Sequence, residues 1–99
     1  MKVKRFYVYI MASGKRGTIY TGVTSDLVMR VSQHKAHYFP DSFTARYDVN
    51  RLVWFEDHDA AETAIRREKQ IKEWRRAWKV ELIQEFNPNW HDLWNDIAG

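Results

Sequence analysis

The chain has no cysteine, which removes disulfides, thiolate metal sites and a cysteine nucleophile from its chemistry. Two prolines and four glycines in 99 residues are too few for a linker or a low-complexity segment. No repeat divides the sequence, so one domain spanning residues 1–99 is expected. Charge of one sign is also scarce. Sixteen basic against 13 acidic residues leave a formal +3, which favours polyanions slightly and does not by itself identify nucleic acid. No apolar run approaches the roughly 18 residues of a membrane helix. The basic start, Met1-Lys2-Val3-Lys4-Arg5, lacks the apolar stretch of a signal peptide after it. With no disulfides to protect, a cytoplasmic protein that leaves membranes alone is the expectation.

What is abundant is aromatic: five Trp, five Tyr and five Phe. Most serve as core in a chain this small, because each ring buries a large area; base stacking is an argument only for rings left exposed. Phe6 to Met11 alternates as a strand does, with Phe6, Val8 and Ile10 on one face and Tyr7, Tyr9 and Met11 on the other. Thr18 to Thr24 alternates likewise, and Ala12-Ser13-Gly14-Lys15-Arg16-Gly17 between them reads as a hairpin loop. If residues 11 and 18 close that loop, Tyr9 falls opposite Tyr20 and Tyr7 opposite Gly22. Two phenols then share one face, with a glycine clearing space beside them. A slip of one residue would separate them.

Thr24-Ser25-Asp26 carries cap chemistry for a helix to about His37, with Leu27 and Val31 on its apolar stripe. Arg30 and His34 are four apart and project from one side of it. Ala36 to Asn50 reads as a long loop, and its His37, Tyr38, Arg46 and Tyr47 are candidates for substrate contact. Arg51 to Glu56 is a third strand, with Leu52 and Trp54 alternating with Val53 and Phe55. Asp59 with Glu62 looks like a capping box for a helix to Trp74 or Trp78. Glu68 interrupts that helix's apolar stripe of Ala61, Ala64, Ile65 and Ile71. A short helix over Lys79–Phe86, ended at Asn87-Pro88, and an amphipathic turn within Trp90–Ile97 complete the chain, with Trp90 and Trp94 as a packing pair. The fold expected is α/β in the α+β sense: a three-stranded antiparallel sheet flanked by helices.

Two phenols, a guanidinium, an imidazole and a carboxylate form a set suited to cleaving a phosphodiester. The reaction needs a deprotonated water, a neutralised phosphate and a stabilised leaving oxygen. Arginine matches the spread of phosphate oxygens. One carboxylate can hold a divalent ion. A tyrosine with a pKa of about 10 is only about 0.1% ionised at neutral pH, so it needs help to act as a base. Each residue also has a plainer reading: Tyr9 and Tyr20 as a cross-strand pair, Glu68 as the partner of Lys72 one turn on. Arg66, Arg67, Lys69, Lys72, Arg75, Arg76 and Lys79 form either a solvated face or, with Trp74 and Trp78 interleaved, a surface that tracks phosphates.

Taken together, the spacings resemble those of the GIY-YIG nuclease superfamily, particularly the small single-domain bacterial members related to the nuclease module of excision repair. Tyr7-Val8-Tyr9 and Tyr20-Thr21-Gly22 stand at the two signatures. Arg30 and His34 match the following helix, Glu68 in Arg66-Arg67-Glu68-Lys69-Gln70 matches the metal ligand, and Asn87-Pro88-Asn89-Trp90-His91-Asp92-Leu93 resembles the C-terminal end of the small members. Tyr7 replaces the signature glycine, and Asn87 lies nineteen residues after Glu68, farther than the family's asparagine.

The resemblance implies a metal-dependent DNA endonuclease acting in repair or recombination, structure-specific if it works alone. Tyr9 would be the base or water-positioning group and Tyr20 its hydrogen-bonding support. Arg30 would bind the scissile phosphate, and His34 would orient Tyr20 or assist proton transfer. Glu68 would hold a single Mg²⁺ or Mn²⁺. Lys35, Arg46, Arg67, Lys69 and Lys72 are the candidates for contacting DNA. Targeting would come from a partner protein, self-association or recognition of branched or damaged DNA. Two other readings stay open: a nucleic-acid-binding module without catalysis, and a protein-interaction domain on the same fold.

Overall fold

The alternating N-terminal segment forms β1 (Phe6–Ala12) in the computed structural model, which describes residues 4–99. Of the basic start, Met1, Lys2 and Val3 lie outside the described residues. β2 (Ile19–Thr24) and β3 (Arg51–His58) pair antiparallel with β1 on its two sides, in the order β2-β1-β3. As the central strand, β1 is covered on both faces, and Val8 through Ala12 are fully buried. Its odd and even residues divide the core. Val8, Ile10 and Ala12 pack with Val53, Trp54, Ala64, Ile71, Ile83 and Trp90. Tyr9 and Met11 pack on the opposite face with Leu27, Val31, Val49 and Leu52.

The hairpin closes two residues away from the register expected at its loop. Ala12 pairs with Ile19, so Tyr9 faces Gly22, Met11 faces Tyr20 and Tyr7 faces Thr24. Ser13 sets this closure: its N–H donates to Thr18 O at 2.9 Å, and its Oγ accepts from Thr18 N at 2.9 Å. A shift of two preserves facing, so Tyr9 and Tyr20 still share one side as diagonal neighbours.

The third strand departs from simple alternation. Ile10 pairs with Trp54 but Met11 pairs with Leu52, so Val53 is an extra, bulged residue. Val53 and Trp54 therefore both enter the first core cluster, while Leu52 and Phe55 belong to the second. β3 is an edge strand, and the chain's last segment covers it at the bulge. Asn87 Nδ2 donates to Val53 O at 3.1 Å, Asp92 Oδ1 accepts from Leu52 N at 3.2 Å, and Leu93 N donates to Leu52 O at 2.8 Å. Backbone groups that would otherwise template a foreign strand are thus satisfied internally.

Five helices are present among the described residues: α1 (Leu27–Lys35), α2 (Phe43–Arg46), α3 (Ala61–Glu73), α4 (Arg76–Phe86) and α5 (Trp94–Ala98). Asp26 caps α1, accepting from Met29 N at 3.1 Å. α1 stops short of His37, which adopts a left-handed φ of 51°. There Tyr38 N reaches Gln33 O at 2.9 Å and His37 N reaches His34 O at 3.2 Å, a Schellman ending with histidine in the usual glycine place. α3 starts later than the capping box implies: its N-cap is Ala60, without a side-chain cap bond. It ends where Trp74 and Arg75 turn extended, at ψ 150° and 155°, so the third and fourth helices are separate. Arg76, just past this break, donates to Arg16 O at 2.8 Å and Gly17 O at 2.7 Å, which ties α4 to the hairpin loop. Ile65 is exposed rather than part of the stripe. Trp90 and Trp94 are not a pair: the first packs in one core cluster, the second against the other.

Candidate active site

Tyr9 is fully buried at the centre of the sheet. Its ring lies over Gly22, so close that a Cβ on Gly22 would stand 2.5 Å from Tyr9 Oη and 2.6 Å from Cζ. Only glycine leaves room for the ring in that position. The phenol ends on α1, where Tyr9 Oη and His34 Nε2 are 2.9 Å apart. His34 Nδ1 in turn lies 2.9 Å from Oγ1 of buried Thr44, which is 3.2 Å from Ser42 Oγ. Tyr9, His34, Thr44 and Ser42 thus form one polar chain running from the core towards α2.

Burial pushes the Tyr9 phenol well above the ordinary tyrosine range, reinforced by Tyr20, while the Arg30 guanidinium pulls the other way and Glu68 adds to the rise. Burial, then Arg30, pushes His34 down to about 4. Both groups are therefore neutral near pH 7. In the tautomer with its proton on Nδ1, His34 accepts from the phenol at Nε2 and donates to Thr44.

Tyr20 completes an aromatic cluster, its ring centre 6.4 Å from Tyr9 and 5.5 Å from His34. His34 is thus hydrogen-bonded to Tyr9, and to Tyr20 only through ring contact. Arg30, one turn before His34, is half-buried and has no acidic partner among the described residues. It borders a cavity of 190 Å³ with Tyr20, His34, Phe39, Phe43 and Thr44. A larger concavity of 670 Å³ lies elsewhere, between Arg5, Tyr7, Leu27, Phe55 and Ile97, and holds none of these groups. α3, packed on β1 and β2, brings Glu68. Its side chain is 13% exposed, and its Oε2 lies 2.9 Å from Lys72 Nζ. That ammonium also sits 5.8 Å from the centre of the Tyr20 ring.

The fold therefore draws Tyr9, Tyr20, Arg30, His34 and Glu68 to one place, with Lys72 among them. The other basic candidates are dispersed. Lys35 is bound to Asp92 and to Asn50 O, under Trp94. Arg67 pairs with Glu56 at 3.2 Å and stacks on Trp74. Arg46 and Lys69 are exposed and make no ion pair among the described residues. Asn87 is buried in the bonds that hold the β3 bulge. Tyr7, at the glycine position of the first signature, is partly buried against the second core cluster, away from the polar chain. Sequence reading missed Thr44. It lies in a stretch read as loop, and only its placement behind His34 distinguishes it from other threonines.

A family model described as the GIY-YIG catalytic domain matches residues 5–81. The chain belongs to the GIY-YIG family. Within it, the chain is similar to UPF0213 proteins. It is 34% identical to one from Syntrophus aciditrophicus over 82 residues, covering 83% of this chain and 92% of the relative. It is 37% identical to UPF0213 protein HQ_3675A of Haloquadratum walsbyi over 79 residues, covering 80% and 86%. The solution NMR structure of UPF0213 protein BH0048 from Bacillus halodurans superposes with a TM-score of 0.56 at 28% identity, covering 89% of this chain and 92% of that one. The sheet of three antiparallel strands with flanking helices is thus the GIY-YIG architecture, in its small form.

The family implies a divalent ion at Glu68. Among the described residues, no three His, Cys, Asp or Glu side chains are grouped to hold a metal. This donor set does not fit a preformed protein cage. It does fit Mg²⁺, which keeps several waters and is commonly bound by one carboxylate plus substrate phosphate.

Proposed function

We propose that this GIY-YIG protein is a divalent-metal-dependent endonuclease that hydrolyses phosphodiester bonds in DNA, with branched or damaged DNA of the kind met in repair and recombination as its substrate class. One observation carries the reading: the 2.9 Å contact between Tyr9 Oη and His34 Nε2, continued to Thr44, beside Arg30, which has no acidic partner among the described residues. A buried phenol at rest is too weak an acid to ionise alone. As a relay it need not. The water's proton passes to Tyr9 Oη while the phenol's own proton passes to His34 Nε2. Arg30 holds the scissile phosphate through two N–H donors. Burial is the main cause of the low His34 pKa and Arg30 the second; the phosphate's negative charge offsets the second alone. Mg²⁺ or Mn²⁺ held by Glu68 would neutralise charge on the phosphate and stabilise the leaving oxygen.

The test is incubation of purified protein with supercoiled plasmid and with a branched DNA, in Mg²⁺ or Mn²⁺ against EDTA. Metal-dependent cutting is expected, reduced about 10²–10⁴-fold in Tyr9→Phe and about 10²–10³-fold in Arg30→Ala, and abolished in Glu68→Ala. Cutting that survives both Tyr9→Phe and Glu68→Ala would sink the assignment. A second reading, a DNA-binding module without catalysis, is favoured by the ammonium already resting on Glu68. It predicts salt-dependent retardation of DNA with no cleavage in any divalent ion. Under either reading DNA is the partner; the choice of site would fall to a targeting protein, self-association or DNA shape. Among the described residues, no helix is long and apolar enough to cross a membrane.

A further inference from the structure

Lys72 is the one basic residue drawn into the site from α3, and its position is unlike that of an ordinary surface ion pair. Its side chain is 48% exposed, while the carboxylate that it holds is 13% exposed. A half-exposed cation thus reaches in to a largely covered anion, 2.9 Å from Glu68 Oε2, and lies over the ring of Tyr20. Arg30 brings a second positive charge and His34 none. With no further cluster of acidic ligands among the described residues, Glu68 is the anchor for which ammonium and divalent ion must compete. Adding a divalent cation to a site holding two cations and one carboxylate is opposed by Coulomb repulsion. A phosphodiester bound by Arg30 supplies negative charge at the same place and gives the ammonium a second acceptor.

We propose that Lys72 is a resident competitor for the metal carboxylate. It neutralises Glu68 in the free protein and transfers to a DNA phosphate on binding, so that metal and DNA each strengthen the binding of the other. This rests on the nuclease reading above and names the residue that couples its two ligands. Coupling of this kind is reciprocal and typically amounts to about 5–150-fold in affinity.

The experiment is a titration of protein alone with Mn²⁺, the free aqueous ion being followed by electron paramagnetic resonance, with no DNA and no turnover. Lys72→Met is expected to bind Mn²⁺ at least about 5-fold more tightly than the unmodified protein. Lys72→Arg keeps the charge and should bind as the unmodified protein does, and Glu68→Gln added to Lys72→Met should remove the gain. Lys72→Gln serves in place of Lys72→Met if near-UV circular dichroism shows the latter misfolded. Equal or weaker Mn²⁺ binding by the neutral variant, or none by either protein, overturns the proposal. In EDTA, the slope of log affinity for a fluorescent duplex against log salt should fall by about 0.9 in Lys72→Met, the share of a single phosphate. An unchanged slope removes the transfer to DNA. A protein that passes both tests yet cuts nothing would fail the nuclease reading and leave the competitor in place.

Discussion

Tyr9 is closely confined. Its ring is fully buried, one edge lies against the backbone of Gly22, and its hydroxyl is fixed by His34. Gly22→Ala would put a methyl group 2.5 Å from the hydroxyl oxygen, so the ring must leave its place. We expect a stability loss of about 1–3 kcal/mol by urea denaturation. Plasmid cleavage should fall at least as far as in Tyr9→Phe, because the relay loses its alignment and not only a proton carrier. Retained stability together with retained cutting would show that the ring has room to spare. Most of this was legible in the sequence: facing parity put Tyr9, Tyr20 and a clearing glycine on one side. What was not legible was which tyrosine His34 holds. That depends on α1 packing against the Tyr9 side of the sheet, a tertiary fact with no local signature. Thr44 stayed hidden for the same reason.

Among the elements, strands were read well and their ends less well. The hairpin register differs by two from the alternation pattern because Thr18 bonds Ser13 instead of facing Met11, held there by a side-chain bond that alternation does not report. In β3, alternation failed at Val53, where the bulge puts two neighbouring apolar residues on one face. Its stabilising partner, Asn87, is 34 residues away. The separation of α3 from α4 has no proline or glycine to announce it. The end of α1 is equally silent, since His37 takes a left-handed conformation that glycine would adopt without strain. His37→Gly should therefore raise stability by up to about 1 kcal/mol, seen as a higher denaturation midpoint with unchanged slope. A fall would mean that the His37 contact to Asp48, at 3.4 Å, outweighs the strain.

At the scale of the molecule, the four basic candidates for DNA contact that lie outside the site are of two kinds. Lys35 and Arg67 are committed to internal partners, whereas Arg46 and Lys69 face solvent with no ion pair among the described residues. Lys35→Ala should cost about 1 kcal/mol of stability. Arg46→Ala and Lys69→Ala should instead lower the salt slope of DNA binding, by about 0.9 for each phosphate that is no longer neutralised. Denaturation and anisotropy titrations read the two effects separately, and the reverse pattern would refute the division.

Stability should also depend on pH through His34. Its folded pKa of about 4 lies below the ordinary 6.5, so the unfolded chain binds the extra proton first. The associated stability is present above pH 6.5 and is lost as pH falls towards 4. Comparing melting temperatures of the protein and His34→Gln between pH 7.5 and 5 isolates this contribution; parallel curves would show that His34 titrates normally. The helix carrying Arg30 and His34 is itself fastened at its far end by Lys35 to Asn50 and Asp92, and Asp92 with Leu93 closes the edge of β3. Asp92 lies 57 residues from Lys35 in the chain, so this fastening is non-local and must close a long loop. The β1–β2 hairpin, by contrast, is a local pairing that can form with both tyrosines in place before the clasp does. Until the clasp closes, α1 is unfastened at its far end, so Arg30 and His34 reach the tyrosines late in folding.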